Sequence, residues 1–349
     1  MKWVQTPLWS WDHFAIWGLK ARRIVQDGVL DLNFLKLANL RPAVPDYPIG
    51  LPLTWRFFSP STPGAAMFKS AHALFAAALA ASFYGCSRKL GTTRAMSGLA
   101  AAVLCASPLF WDTEAVGLAD LPLASLATIA TLMILEEQED SGFPAWATGS
   151  VLGFLSWIKT EGLLLGLLLA LLAAGPGRGT RPIRDRIALL TAWFGWAAGA
   201  AAIRFFLLTP AVGFLAGNWT DRAARRLQSP RTILLALLAE LRGTEWFGLW
   251  LLFAAAAVLV LRRTHSLRFL WMVVTCQLSV YALIYLGTRL DPVEHIRSSF
   301  HRIASALAPL AILSAIAAFG ATRRARGFGK ASAVQTISKR NGWGARTRT

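Results

Sequence analysis

The chain has 349 residues, 55% of them hydrophobic and only 15% charged, with a mean hydropathy of +0.47. A globular domain carries about 25% charged residues, so this composition excludes an ordinary soluble protein and reads as an integral membrane protein. Lys and Arg number 36 against 18 Asp and Glu, a net charge of +18, but no nucleic-acid recognition motif accompanies the excess, and the reading assigns no nucleic-acid partner.

Residues 1–64 mix seven Lys or Arg with Asp12, Asp27, Asp31 and Asp46 and several prolines. They read as an outer-face loop with structure of its own, not as a span, and no signal peptide precedes them. Apolar stretches then follow at about 65–84, 95–110, 121–135, 146–158, 162–174, 187–209, 246–261, 267–286 and 303–320. They predict an all-α, polytopic membrane bundle over 65–320 with about nine spans, several shorter than the roughly 20 residues needed to cross alone. Residues 321–349 form a basic tail, with Arg323, Arg324, Arg326, Lys330, Lys339, Arg340, Arg346 and Arg348 and no acid.

Connector charge sets the sidedness. Arg88, Lys89 and Arg94; Arg178, Arg181, Arg184 and Arg186; and Arg262, Arg263 and Arg268 mark three basic connectors, which the positive-inside rule puts in the cytoplasm with the tail. The parity holds if 146–158 and 162–174 are two short crossings joined at Lys159. One cytoplasmic connector is acidic, at Glu136, Glu137, Glu139 and Asp140, but acids weigh little in this rule. The outer face then receives residues 1–64 and the loops 111–120, 210–245 and 287–302. An outer N-terminal loop calls for a span ahead of it, so the reading expects one upstream of Met1. Cys86, Cys105 and Cys276 form no C-x-x-C pair, and neither a disulfide framework nor a zinc site is expected.

Ionisable groups inside membrane spans are costly and mark function by default. Here they share one depth. Lys69 and His72 stand three apart on one helical face, Lys159 and Glu161 flank the outer hinge, Arg204 nears the outer end of its span, and His301 and Arg302 open the last one. The plainer reading is that long side chains snorkel to the interface. The functional one is a site for a lipid-borne phosphate, because guanidinium and ammonium groups bind phosphate oxygens by charge-assisted hydrogen bonds and stabilise a departing phosphate.

Two segments of the first loop, Trp11-Asp12-His13-Phe14-Ala15-Ile16-Trp17-Gly18-Leu19-Lys20-Ala21 and Pro45-Asp46-Tyr47-Pro48-Ile49-Gly50-Leu51-Pro52-Leu53, precede three others in order. These are Gly117-Leu118-Ala119-Asp120-Leu121-Pro122-Leu123-Ala124, Lys159-Thr160-Glu161-Gly162, and His295 to Arg302 leading into Ala308-Pro309. Together they resemble bacterial GT-C membrane glycosyltransferases of the family 39 type, related to protein mannosyltransferases and aminoarabinose transferases, over about residues 8–315. The resemblance implies inverting transfer of a sugar from a polyprenyl-phosphate donor to a lipid, glycan or protein acceptor on the outer face of the cytoplasmic membrane. It makes Asp12 the catalytic base and supports Asp120 as a second site carboxylate, holding a divalent metal ion or the acceptor. Lys20, Asp46, Lys159, Glu161, His295 and Arg302 are the candidate donor-binding groups; no cofactor is certain, and the metal stays open.

Each residue also has a plainer reading. Asp12 lies among Trp9, Trp11 and Trp17 and fits a solvated acid in an aromatic belt. Lys20 could form a salt bridge, Asp46 could start a turn, and Asp120 ahead of Pro122 fits a helix N-cap. Lys159 and Glu161 could neutralise each other. For the chain as a whole, the rival is a transporter or flippase whose buried charges line a pathway, and a truncated, inactive relative is a third reading.

Overall fold

A computed structural model describes residues 12–35, 37, 47–58, 65–107, 117–136, 143–175, 182–207, 218–228, 230–260 and 265–318. Every regular element among them is a helix. Asp46, Asp112, Glu114 and the tail 321–349 lie outside the described residues.

The first loop has its own small core. Residues Asp12–Gly18 are wound as a π-helix that continues into α1 (Leu19–Asp27), stopped by Gly28 at φ 72°. α2 (Gly50–Phe58) packs against α1, burying Trp17, Ala21, Leu51 and Trp55. Trp17 stacks on Tyr47 at 5.7 Å between ring centroids.

Helices occupy all nine apolar stretches. α3 (Ala65–Lys89) turns into α4 (Arg94–Ala106) through a knot of hydroxyls, with Ser87 Oγ 2.7 Å from Thr92 Oγ1 and 3.1 Å from Ser97 Oγ. Thr93 caps α4 by accepting from the Met96 amide. α5 (Asp120–Glu136) is buried nearly all round, as expected of a helix apolar on every face. Its Thr128 and Thr131 hydroxyls donate to the carbonyls of Ala124 and Ala127, so neither polar group is stranded. Lys89 pairs with Glu136 at 2.8 Å, tying α3 to α5.

α6 (Ala145–Ile158) and α7 (Thr160–Ala174) form a hairpin whose connector is the single residue Lys159, in extended conformation at φ −153°, ψ 150°. Two Gly-x-x-x-Gly pairs let these helices approach their neighbours backbone to backbone. A Cβ on Gly149 would stand 2.2 Å from Leu189 O, and one on Gly153 would stand 2.6 Å from Trp196 Cβ, both on α8 (Ile183–Ala202). Gly162 and Gly166 press in the same way on the Leu155 and Leu152 carbonyls of α6. Gly153→Leu should therefore lower the melting temperature of the detergent-solubilised protein sharply, overpacking costing about 1–3 kcal/mol or more. Gly195→Leu, on α8 with nothing within 4 Å, is the control and should melt as wild type does. Equal melting of the two variants would disprove the close-packing role.

The remaining chain differs from the plain span-and-loop pattern. The segment 210–245 contains α9 (Trp219–Leu227) and α10 (Arg231–Leu241), followed by α11 (Leu249–Val260) and α12 (His265–Gly287). The last apolar run, 303–320, is not one straight span. α13 starts earlier, at Pro292, runs to Ser305 and bends by 59° into α14 (Ala308–Ala318). Asp291 caps α13 by accepting from the amides of Val293 and Glu294. Pro309 explains the bend, since a proline ring in the first turn of α14 prevents the preceding helix from running straight through.

Among the described residues, two helical segments are long and apolar enough to cross a membrane, Ile183–Phe205 and Arg268–Gly287, and the bent α13–α14 pair makes a third if it counts as one span. α4, α6 and α7 are shorter apolar helices.

Candidate functional site

The first loop and the bundle meet at the turn Gly117–Asp120. Gly117 has φ +95°, and a Cβ there would lie 2.3 Å from His13 Nδ1, so only glycine serves. His72 Nε2 lies 3.0 Å from Leu118 O. Between the two histidines stands Trp55, 5.1 Å from the His13 ring and 5.6 Å from the His72 ring. His72 and Lys69, three apart on one helical face, are both buried. His13 had no assigned role in the sequence, yet it is 1% exposed and forms the contact between loop and turn.

Burial, and then the neighbouring charges of His72, Arg22 and Lys69, push the His13 pKa down to about 4, against a smaller opposing contribution from the Gly117 backbone. The sign follows directly. A base whose folded-state pKa is lowered binds fewer protons than the unfolded chain does, so its neutral contact is fully stabilising above pH 6.5. That contribution is lost as pH falls from 6.5 towards 4, by about 3 kcal/mol in total. Unfolding of the purified protein should show this acid-side loss, and His13→Gln should flatten it; an unchanged pH slope in the variant would remove His13 as its source.

One step along the same turn, Asp120 opens α5 as its first helical residue, not as the residue ahead of it. Its Oδ1 accepts from Lys159 Nζ at 2.7 Å, across 39 positions of sequence, and Oδ2 meets no hydrogen-bond partner. Lys159 also lies 3.6 Å from Glu161 Oε1. The single-residue hinge makes this possible, since the extended backbone at Lys159 sets both its side chain and that of Glu161 at the head of α7. Asp120 and Lys159 are 5% and 6% exposed. Arg302 acts electrostatically on Lys159 from α13. Two carboxylates thus hold the Lys159 ammonium, and Arg302 adds positive charge from a distance.

His295, seven residues before Arg302, bonds through Nδ1 to Thr288 Oγ1 at 2.9 Å and meets the Tyr285 ring edge-on at 5.0 Å. The Tyr285 hydroxyl pairs with Ser299 Oγ at 2.9 Å. The loop beneath is held from α9. Arg226 donates to the carbonyls of Leu286, Thr288 and Leu290 at 3.0, 2.7 and 3.1 Å, and Arg222 donates to Gly287 O at 3.0 Å. The Leu286 and Gly287 carbonyls belong to the otherwise unsatisfied C-terminal turn of α12, and those of Thr288 and Leu290 to the loop after it.

Lys20 donates to Tyr47 O at 2.9 Å and lies over the Trp17 ring at 5.9 Å. It is 2% exposed and holds the first loop together. Asp12 opens the π-helix one residue before His13, and its side chain lies outside the described residues, as does Asp46.

On the other side of the hinge, Thr160 lines a cavity of about 110 Å³ together with Tyr47, Ile49, Trp157, Ala201 and Arg204. Its walls are mostly apolar, with the Arg204 guanidinium among them. Among the described residues no group of three or more His, Cys, Asp or Glu is placed to hold a metal ion; Asp120 and Glu161 are the carboxylates that stand together.

The structure therefore brings Asp120, Lys159 and Glu161 into one cluster, on which Arg302 acts electrostatically, while His295 packs on Tyr285 and Lys20 lies in the first loop. Sequence reading missed His13, Gln277, Tyr281 and Tyr285. The last three had a visible signal, polar groups repeated every four residues in an apolar run. No protein family, curated protein or solved structure matches the chain.

Proposed function

We propose that the chain is a membrane glycosyltransferase of the GT-C type, moving a sugar from a polyprenyl-phosphate donor to an acceptor hydroxyl on the outer face of the cytoplasmic membrane. The observation that carries the reading is the buried Asp120–Lys159 pair with Glu161 at a helix hinge, within the electrostatic reach of Arg302 and beside an apolar cavity that includes Arg204. Cations held in place by carboxylates, next to apolar walls, match a substrate that is anionic at one point and hydrocarbon elsewhere. On this reading about nine crossings over 65–320 put the hinge, the first loop and α13 outside and the basic tail in the cytoplasm.

In this scheme the acceptor oxygen attacks the anomeric carbon, Asp12 takes its proton, and the bond to phosphate breaks with inversion, releasing polyprenyl phosphate. Lys159 has three N–H donors. Asp120 takes one at 2.7 Å and Glu161, at ion-pair distance of 3.6 Å, helps fix its direction, which leaves donors for a phosphate oxygen. Arg302, His295 and Lys20 add positive charge or donors around the departing group, and Asp46 belongs to the same loop as Asp12.

The test is reconstitution of the full chain in vesicles with radiolabelled polyprenyl-phosphate sugars and membrane acceptors. Label in a new glycosidic bond is the expected result. Label that crosses the bilayer on its original lipid, with no new bond, would replace this reading with a flippase.

A further inference from the structure

α12 is long and apolar enough to cross a membrane, and its last turn, at Gly287, then stands at the bilayer boundary. α9 is fixed to that end, because Arg222 donates to Gly287 O and Arg226 to the carbonyls of Leu286, Thr288 and Leu290. α10 follows after the short link 228–230 and packs on α13, which starts just beyond the same loop. With 11 residues α10 is about 16 Å long, too short to cross a hydrocarbon core of about 30 Å. Charges at both ends, Arg231 at one and Glu240, Arg242 and Glu245 at the other, keep either end out of the hydrocarbon. The helix therefore lies along the boundary.

α10 is apolar on two sides. Ile233, Ala236 and Leu237 pack on the core, whereas Leu234 and Leu235 are 56% and 54% exposed and Leu238 is 36% exposed. A helix apolar all round is a covered helix, so the outer leucines call for an apolar partner. Charge says which one. Arg231, Leu235, Leu238 and Arg242 recur at intervals of four, three and four residues and form one row along the helix, with both arginines exposed. An apolar strip with a guanidinium at each end matches hydrocarbon bordered by phosphates. Phe247, where the chain turns from α10 towards α11, is 74% exposed beside the buried Trp246, and among the described residues it is the non-glycine with positive φ, 48°. That backbone is uncommon for a bulky side chain, and here it accompanies a ring turned outward. We infer that α10 and Phe247 form an interfacial foot on the membrane surface, with Leu234, Leu235 and Leu238 among the first carbons of the acyl chains and Arg231 and Arg242 on the phosphates of anionic phospholipids. This surface depends on α12 crossing the bilayer and not on the reaction proposed above.

The experiment measures depth in the full chain, in nanodiscs of phosphatidylglycerol or of phosphatidylcholine. Cys105 and Cys276 are replaced by alanine, Cys86 is buried, and a fluorophore is attached at Leu235→Cys, at Leu238→Cys or, on the polar helix α9, at the exposed control Ala224→Cys. At the two leucine positions, quenching by a nitroxide on lipid carbon 5 should exceed quenching by one on carbon 12 about twofold, and iodide in the buffer should quench about fivefold less than at the control. Arg231→Glu combined with Arg242→Glu should cut the carbon-5 quenching by about half in phosphatidylglycerol and change it little in phosphatidylcholine. Iodide quenching equal to the control places the face in water, stronger quenching from carbon 12 places it inside a span, and shielding from all quenchers places protein, a second copy included, against it. Each of these overturns the inference, as does a charge-reversed variant that keeps wild-type depth in phosphatidylglycerol.

Discussion

Lys159→Met is expected to cost both stability and transfer. In the wild-type protein the Nζ atom is 2.7 Å from Asp120 Oδ1 and 3.6 Å from Glu161 Oε1, with little water access. Removing one partner of a buried ion pair destabilises by about 3–5 kcal/mol, because the carboxylates stay behind without their countercharge. That is a large part of the usual 5–15 kcal/mol of a domain. The triple variant Lys159→Met, Asp120→Asn, Glu161→Gln removes the stranded charges and should recover most of the melting temperature. It should not recover transfer, since the donor to the leaving phosphate is still missing. Melting curves and transfer rates on the same preparations separate the two effects. Recovery of both by the triple variant would make the cluster purely structural.

The position of each apolar helix was legible because hydropathy over a dozen or more residues needs no knowledge of tertiary contacts. The boundaries that sequence blurred have local causes. Averaging hid the start of α13, although Asp291-Pro292 is a capping signal in its own right. It also hid the bend, because Ala306 and Leu307 are as apolar as the helices they separate. The candidate residues divide in the same way. Lys159 and Glu161 stand two apart in sequence, and their mutual neutralisation is one of the readings that spacing offers. That Asp120 joins them across 39 positions depends on how α5 sits against the α6–α7 hairpin, which no local pattern encodes. The close approach of that hairpin to α8 depends on glycines at 149 and 153, readable only once α8 is known to be their neighbour. His13 is a single polar residue among aromatics, and its burial follows from a glycine turn about a hundred residues later.

Asp12→Asn should abolish transfer while sparing insertion and folding. The backbone of Asp12 begins the π-wound turn whose next residue, His13, rests against Gly117, three positions before Asp120. The loop that carries the proposed base is thereby tied to the segment that opens the charged cluster. Asn keeps the size and hydrogen-bonding reach of Asp but cannot accept a proton in the reaction, so the variant isolates that one property. General-base catalysis is worth about 10² to 10⁴ in rate, and a loss of that size in kcat with little change in KM is the expected outcome. Donor affinity should be unchanged, because the phosphate contacts proposed above lie on other residues. Measured in the same vesicles as wild type, an Asp12→Asn protein with near-normal kcat would sink the assignment of Asp12 as base, and a loss confined to KM would move it from the reacting proton to substrate binding.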